Sequence, residues 1–302
     1  MTAEPLAIET KQLTRRFGHA NAVDGLTLRV RPGRCYGFFG RNGAGKTTTI
    51  KCLLNLLHPT GGSVRILGLD PARDEVAVKS RVAYVPDAVA FYPWMSVRET
   101  LDYLASFHQR WNEAVERGLL DRFRLDTRQK ASHLSKGQRT QLALIGAICA
   151  EPEVLILDEP TSGLDPIVRR EFVEAVIGAF QDGGVGDRTV FVSTHLIAEF
   201  EGLIDEFTII DGGREVLTLE ADAARERYQK IYARFAEEPA GLDLPGAQTI
   251  RRRGRELEMV ASADPSGLLD RLRAHAPEAL VAEPLTLEEI VVATLQSGAA
   301  AA

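Results

Sequence analysis

Cys35-Tyr36-Gly37-Phe38-Phe39 is an unbroken apolar run, and from Lys46 to Leu57 the apolar residues recur with a helical period. Between the two lies Gly40-Arg41-Asn42-Gly43-Ala44-Gly45, a stretch that neither a strand nor a helix can cross unbroken. The reading is strand, sharp turn, helix. A strand with no polar alternation must be covered on both faces, which calls for a mainly parallel sheet flanked by helices. Val154–Leu157, Thr189–Ser193 and Glu206–Ile210 repeat the apolar pattern, with helices expected near 167–181 and 196–202. Residues 6–30 read as two or three short strands with a turn at Gly18–His19, and Ser63–Leu67 and Arg81–Val85 as further strands. From about 87 to 150 the chain reads as mostly helical, with amphipathic runs at 96–110, 112–124 and 138–150.

The character changes near residue 214. A charged helix is expected over 221–234, a loop over 239–245, a basic cluster at Arg251-Arg252-Arg253, and helices near 266–275 and 286–296. The expected organisation is thus a large domain over 1–213 with a helical insert at about 87–150. A small accessory domain follows over 214–302.

Gly40 to Thr47 fits G-x-x-x-x-G-K-[ST] at every defined position, with the strand before and helix after that the motif requires. The spacing predicts that backbone N–H groups from Gly40 through Asn42, Gly43, Ala44, Gly45, Lys46, Thr47 and Thr48 surround a phosphate chain. Lys46 supplies a point charge and the Thr47 hydroxyl an oxygen for Mg²⁺. Asp158-Glu159 closes the apolar run at 154–157, at the kind of strand end where open α/β sheets hold ligands. Asp158 fits the Mg²⁺ carboxylate of a P-loop NTPase, and Glu159 a residue that polarises the attacking water. The fold class expected is therefore α/β, a P-loop NTPase with a mainly parallel sheet. It carries an antiparallel β part, a helical insert and a small C-terminal α+β appendage.

Leu134-Ser135-Lys136-Gly137-Gln138 opens the helix at 138–150, and Ser135 with Gly137 is a natural helix start in its own right. The segment also resembles the signature LSGGQ, and with the other motifs in order the chain resembles the ATP-binding cassette (ABC) ATPases over about residues 6–213. That resemblance implies ATP and Mg²⁺ as ligands and a second cassette, identical or not, docked head to tail. It implies that Ser135, Gly137 and Gln138 meet the nucleotide held by the partner's phosphate loop. It makes Ser162-Gly163-Leu164-Asp165 the loop between cassettes, and His195 the residue that contacts the γ-phosphate and orients water. Phe17 becomes the ring that stacks on adenine, with a core phenylalanine as the rival reading. Tyrosine is the commoner ring at Phe17, and two further positions depart from the commoner pattern. Lys136 replaces a glycine, and Asp87 stands where a glutamine usually ligates Mg²⁺ and signals to the membrane subunit. An ordinary loop acid after Pro86 is the alternative there.

The resemblance implies an ATPase that powers a separate transmembrane permease, placing the chain in the cytoplasm on the inner face of the cell membrane. Phe91, Tyr92, Pro93 and Trp94 are either a docking patch for that permease or core. The segment Leu285-Thr286-Leu287-Glu288-Glu289-Ile290 is similar to the close of many exporter-type ATPases. A net charge of −6 argues against a nucleic-acid-binding face, so no nucleic acid is expected. A soluble ABC ATPase acting on ribosomes or DNA, and a regulatory cassette, are the other readings. Cys35, Cys52 and Cys149 sit in apolar stretches and read as small buried hydrophobes. No apolar window reaches the roughly 18–20 residues of a membrane helix.

Overall fold

The computed structural model describes residues 5–181, 188–239, 242, 244–262 and 265–300. The chain divides into two compact units, Met1–Glu215 and Val216–Ala302.

The first unit opens with β1 (Ile8–Phe17), which Gly18 turns in the left-handed conformation into β2 (Ala20–Leu26); a short β3 (Arg29–Val30) follows. β4 (Cys35–Phe39) leads through the glycine loop into α1 (Lys46–Leu53), and β5 (Gly61–Ile66) returns to pair with β1. β1 is thus the centre of an antiparallel sheet, with Leu13 opposite Leu26 and Ile8 opposite both Val30 and Ile66.

A short α2 (Glu75–Lys79), not expected from the sequence, precedes β6 (Val82–Val85). The helical stretch that follows holds α3 (Val97–Ala105), α4 (Glu113–Phe123) and α5 (Lys136–Cys149). Their starts are written in the sequence as caps. Ser96 with Glu99 and Ser135 with Gln138 form reciprocal capping boxes, and Asn112 accepts from the Val115 N–H. Within this layer the buried Glu116 carboxylate accepts from Arg98 at 2.5 and 3.1 Å and from Trp111 Nε1 at 2.7 Å. The ion pair therefore has partners on both oxygens, which burial of a charge requires.

β7 (Val154–Asp158), α6 (Pro166–Gln181), β8 (Thr189–Ser193) and β9 (Glu206–Asp211) complete the parallel sheet, with strand order β9-β4-β8-β7-β6. All five residues of β4, of β7 and of β8 are buried, as an unalternating apolar strand demands. Phe191 anchors the core. Its ring stacks on Tyr36 at 5.8 Å and 8° and meets Phe38 at 5.3 Å. The one polar atom of that cluster, Tyr36 Oη, is satisfied by Thr208 Oγ1 at 2.6 Å. The helix expected over 196–202 is a single 3₁₀ turn at Ile197–Glu199.

From Asp211 the chain turns at Gly212-Gly213 into β10 (Arg214–Glu220) and α7 (Ala221–Arg227). The helix expected over 221–234 ends there, because β11 (Gln229–Arg234) begins. Ile231 and Ala233 are buried on alternate positions, a period of two that the charged residues around them concealed. The basic cluster lies on β12 (Ala247–Arg253), an edge strand paired to β13 (Glu256–Ala261). α8 (Pro265–Ala274), β14 (Ala279–Pro284) and α9 (Leu287–Ala300) finish the chain. The sheet order β12-β13-β11-β14 is wholly antiparallel. Leu268 and Leu272 of α8 close its core over Ile231, Leu257 and Met259. The appendage is α+β, as the sequence suggests, with more strand than its helical runs indicate.

Phe191→Ala removes a fully buried ring from between Tyr36 and Phe38. It is expected to cost about 3–5 kcal/mol, read as a loss in denaturant midpoint for the first unit's transition. An unchanged midpoint would mean that the aromatic cluster is not where this sheet draws its stability.

Candidate functional site

Parallel register brings three strand ends together. Phe38 lies opposite Ser193 and Asp158 opposite the same Ser193, so the loop after β4, the acidic pair after β7 and the turn after β8 share one edge. The glycine loop occupies that edge by close backbone contact. Gly45 has φ +105°, and a methyl there would stand 2.3 Å from the Ala22 carbonyl oxygen. At Gly40 it would stand 2.5 Å from the Ile210 carbonyl oxygen. No other residue fits either position.

Lys46, almost fully buried, donates to the Gly40 carbonyl at 2.8 Å and reaches Glu159 Oε1 at 3.2 Å. Glu159 in turn receives the His195 backbone N–H at 3.1 Å, and His195 Nδ1 lies 2.7 Å from the same Oε2. Glu159 itself has φ +49°, a conformation that costs free energy for a residue with a side chain. Its N–H bond to the Ser193 carbonyl, 2.7 Å, and the two side-chain partners hold it there. Thr47 Oγ1 donates to Asp158 Oδ1 at 3.3 Å. Asp158 is buried, and burial first, then the nearby Glu159 and Asp87 charges, push its carboxyl above the usual range.

A cleft of about 380 Å³ lies over this edge. Of the sequence-predicted residues it is lined by Asn42, Gly43, Gly45, Lys46, Thr47, Thr48, Asp87, Glu159 and His195. Gly40 and Ala44 support the loop from behind. Phe17 ends β1 at 47% exposure, so it is not a core residue, and one face of its ring is covered by the Arg15 guanidinium at 4.6 Å. Ser135, Gly137 and Gln138 lie at the start of α5, outside the cleft lining. Ser135 and Gln138 spend their side chains on the capping box, and Gly137 packs on Val168. Arg41, Ala22 and Ser162 also line the cleft, without a place in the sequence-predicted set. Arg41 and Ser162 belong to motif segments, but Ala22 carries no sequence signal because its carbonyl does the work.

The oxygen donors suit a hard cation. The Thr47 hydroxyl, the Asp158 carboxylate and the Asp87 carboxylate are the kind of set Mg²⁺ takes when phosphates complete its shell. No group of three or more His, Cys, Asp or Glu able to hold a metal alone occurs among the described residues. A second cleft, of about 330 Å³, lies in Val216–Ala302; Arg251 of the basic cluster and Leu285, Glu288 and Glu289 of the exporter-like segment line it, and none of the nucleotide-site candidates do.

Comparison with known proteins matches the ABC transporter family model to residues 23–162. The bacitracin transport ATP-binding protein BcrA of Bacillus licheniformis is 33% identical over 227 residues, spanning 74% of this chain and 72% of that protein. The Nod factor export ATP-binding protein I of Rhizobium etli is 32% identical over 295 residues, spanning 94% and 92%. Among solved structures, an ATP-binding subunit of an ABC transporter superposes with a TM-score of 0.66 at 29% identity. It covers 73% of this chain and 92% of that one. A dimeric cassette in a post-hydrolysis state with ADP and Pi, at 20% identity and a TM-score of 0.62, shares the fold. It covers 71% of this chain and 98% of that one.

A carboxyl whose folded value is raised destabilises the fold where it is ionised. Asp158→Asn is therefore expected to raise the unfolding temperature at pH 7 without nucleotide. The gain should vanish as the pH falls below the ordinary aspartate range, where Asp158 is neutral in both states. Calorimetry across pH checks this, and a variant less stable than the parent at pH 7 would refute it.

Proposed function

The chain belongs to the ABC transporter family as an ATP-hydrolysing, ATP-binding subunit, and on that premise we propose how its residues divide the work. The β- and γ-phosphates lie in the loop Gly40–Thr48, against the backbone N–H groups and the positive end of α1. The adenine stacks on the face of Phe17 that Arg15 leaves open, a ring whose other face is already backed by a cation. Thr47, Asp158 and Asp87 would hold Mg²⁺, which would neutralise phosphate charge.

The observation that carries the reading is Glu159, fixed between Lys46 and His195. Its carboxylate accepts a hydrogen bond from the attacking water while the water oxygen bonds to the γ-phosphorus. The bond from the γ-phosphorus to the β–γ bridging oxygen breaks, the water's proton passes by way of Glu159 to the phosphate formed, and ADP and phosphate leave. Lys46 turns from Glu159 to the phosphates as they enter, which frees Glu159 for the water. His195, bonded to Glu159 at its ring, orients the same water. The start of α5, with Ser135 and Gly137, closes on the partner's γ-phosphate, so two chains enclose two ATP molecules.

No described helix is long and apolar enough to cross a membrane, and the chain powers movement through a separate membrane subunit. We place that subunit's dock on the helical insert. Trp94 is 63% exposed and stacks with Tyr92 at 5.0 Å; Tyr92 meets Tyr103 at 5.7 Å, and Tyr103 meets Phe107 at 5.0 Å. Four exposed rings in contact make a patch of the kind that marks an interface. Phe91, by contrast, is half-buried beside Tyr84 and Leu104. The name of one relative, the Nod factor export ATP-binding protein, favours outward movement. The chain then sits on the cytoplasmic face of the cell membrane through its permease.

Glu159→Gln is expected to lower turnover by about 10²–10⁴-fold while retaining ATP binding, and to accumulate a dimer on size-exclusion chromatography with Mg-ATP. Turnover equal to the parent's would show that another group polarises the water. Trp94→Ala is expected to weaken binding to the permease in nanodiscs by roughly tenfold or more, with hydrolysis by the isolated chain unchanged; unaltered binding would move the dock elsewhere.

A further inference from the structure

Two of the positions at which this chain departs from the commoner family pattern, Lys136 and Asp87, face each other. Lys136 Nζ lies 3.9 Å from Asp87 Oδ1 and donates to the Ser162 carbonyl at 2.7 Å. A lysine at the first residue of α5 sits at the positive end of the helix, an unfavourable place for its charge. Its ammonium is instead carried across to the cleft rim, close enough to Gly163 that a methyl there would stand 3.2 Å from Nζ. Asp87 and Ser162 both line the phosphate cleft. One side chain thus joins the cleft that holds the chain's own nucleotide to the helix start that serves its partner's.

We propose that Lys136 is a positioning residue that couples the two nucleotide sites to which one chain contributes, with Asp87 as its receiver. The inference rests on the dimer reading above. Both side chains are 53% exposed, so the pair alone is weak and readily exchanged. When the chain's own cleft fills, the charge around Asp87 changes, and its hold on Lys136 changes with it. An ammonium released from Asp87 is still within the first turn of α5, where it adds a cation to the helix end facing the partner's γ-phosphate. Occupancy of one site then favours closure over the other.

The test uses the full chain in the Glu159→Gln background, with the dimer fraction followed by light scattering as Mg-ATP is raised. The parent is expected to give a sigmoidal curve. Two ATP molecules per dimer keep some sigmoid in every variant, but Lys136→Gln and Asp87→Asn should each make the curve less steep, with the midpoint raised by up to about fivefold. Asp87→Asn also removes a Mg²⁺ ligand, so the double variant should match Asp87→Asn, with Lys136→Gln adding nothing once its partner is gone. Raising the salt concentration should flatten the parent's curve and leave the variants' curves in place. Thermal unfolding of each variant confirms that these half-exposed substitutions leave the fold intact. If the effects of the two substitutions add, or Lys136→Gln keeps the parent's sigmoid, the link is overturned while the dimer stands. A parent that stays monomeric overturns the dimer reading and the link together.

Discussion

Everything chemical in the first unit depends on the pairing of β4 and β7 to opposite edges of β8. Asp158, Ser193 and Phe38 meet across that ladder although more than a hundred residues separate the first strand from the last. The pairing fixes where the glycine loop begins, and the loop then has only one seat. Ala22 approaches from the antiparallel sheet, and the turn at Gly213 donates its N–H to the Ala44 carbonyl at 2.9 Å. A loop wedged between two backbone segments is rigid before any phosphate arrives. That rigidity avoids an ordering cost on binding.

Charge is arranged with the same economy. Lys46 is nearly buried, and such a cation is tolerable only with partners. The Gly40 carbonyl and Glu159 fill that role until phosphate oxygens replace them. Asp158 has Thr47 in the position where a cation would draw both oxygens together. The site therefore holds its charges in pairs that a charged ligand can exchange without first baring any of them. The strained backbone at Glu159 belongs to the same design, since its partners come from α1 and from the end of β8 with the turn that follows it.

How much of this is legible in the sequence follows from the range of each interaction. The phosphate loop is local: eight consecutive residues with fixed spacing state it completely. The acidic pair is nearly so, because an apolar run announces the strand and its end. Ser135 and His195 are not local. Capping explains Ser135 just as well, and His195 gains meaning only from β7 and β8 lying side by side; both were reached through family resemblance. In the second unit charge masks the strand period. Gln229-Lys230-Ile231-Tyr232-Ala233-Arg234 has only two buried positions, too few to outweigh the helical propensity of its flanks. Tyr103 and Phe107 were missed for a related reason: on a helix read by itself, an exposed ring and a core ring look alike.

The departures from pattern teach something further. Asp87 taken alone looks like a fault in a magnesium site, an added negative charge beside Asp158 and Glu159. Lys136 alone looks like a cation at the wrong end of a helix. Each is unfavourable where it stands, and the two face each other at 3.9 Å across the cleft rim in a half-exposed, readily exchanged contact. Two local conflicts that cancel in space are better understood as one feature than as two tolerated errors. Because the cancellation joins α5 to the end of β6, any movement of the helical insert relative to the sheet must first break or carry that contact.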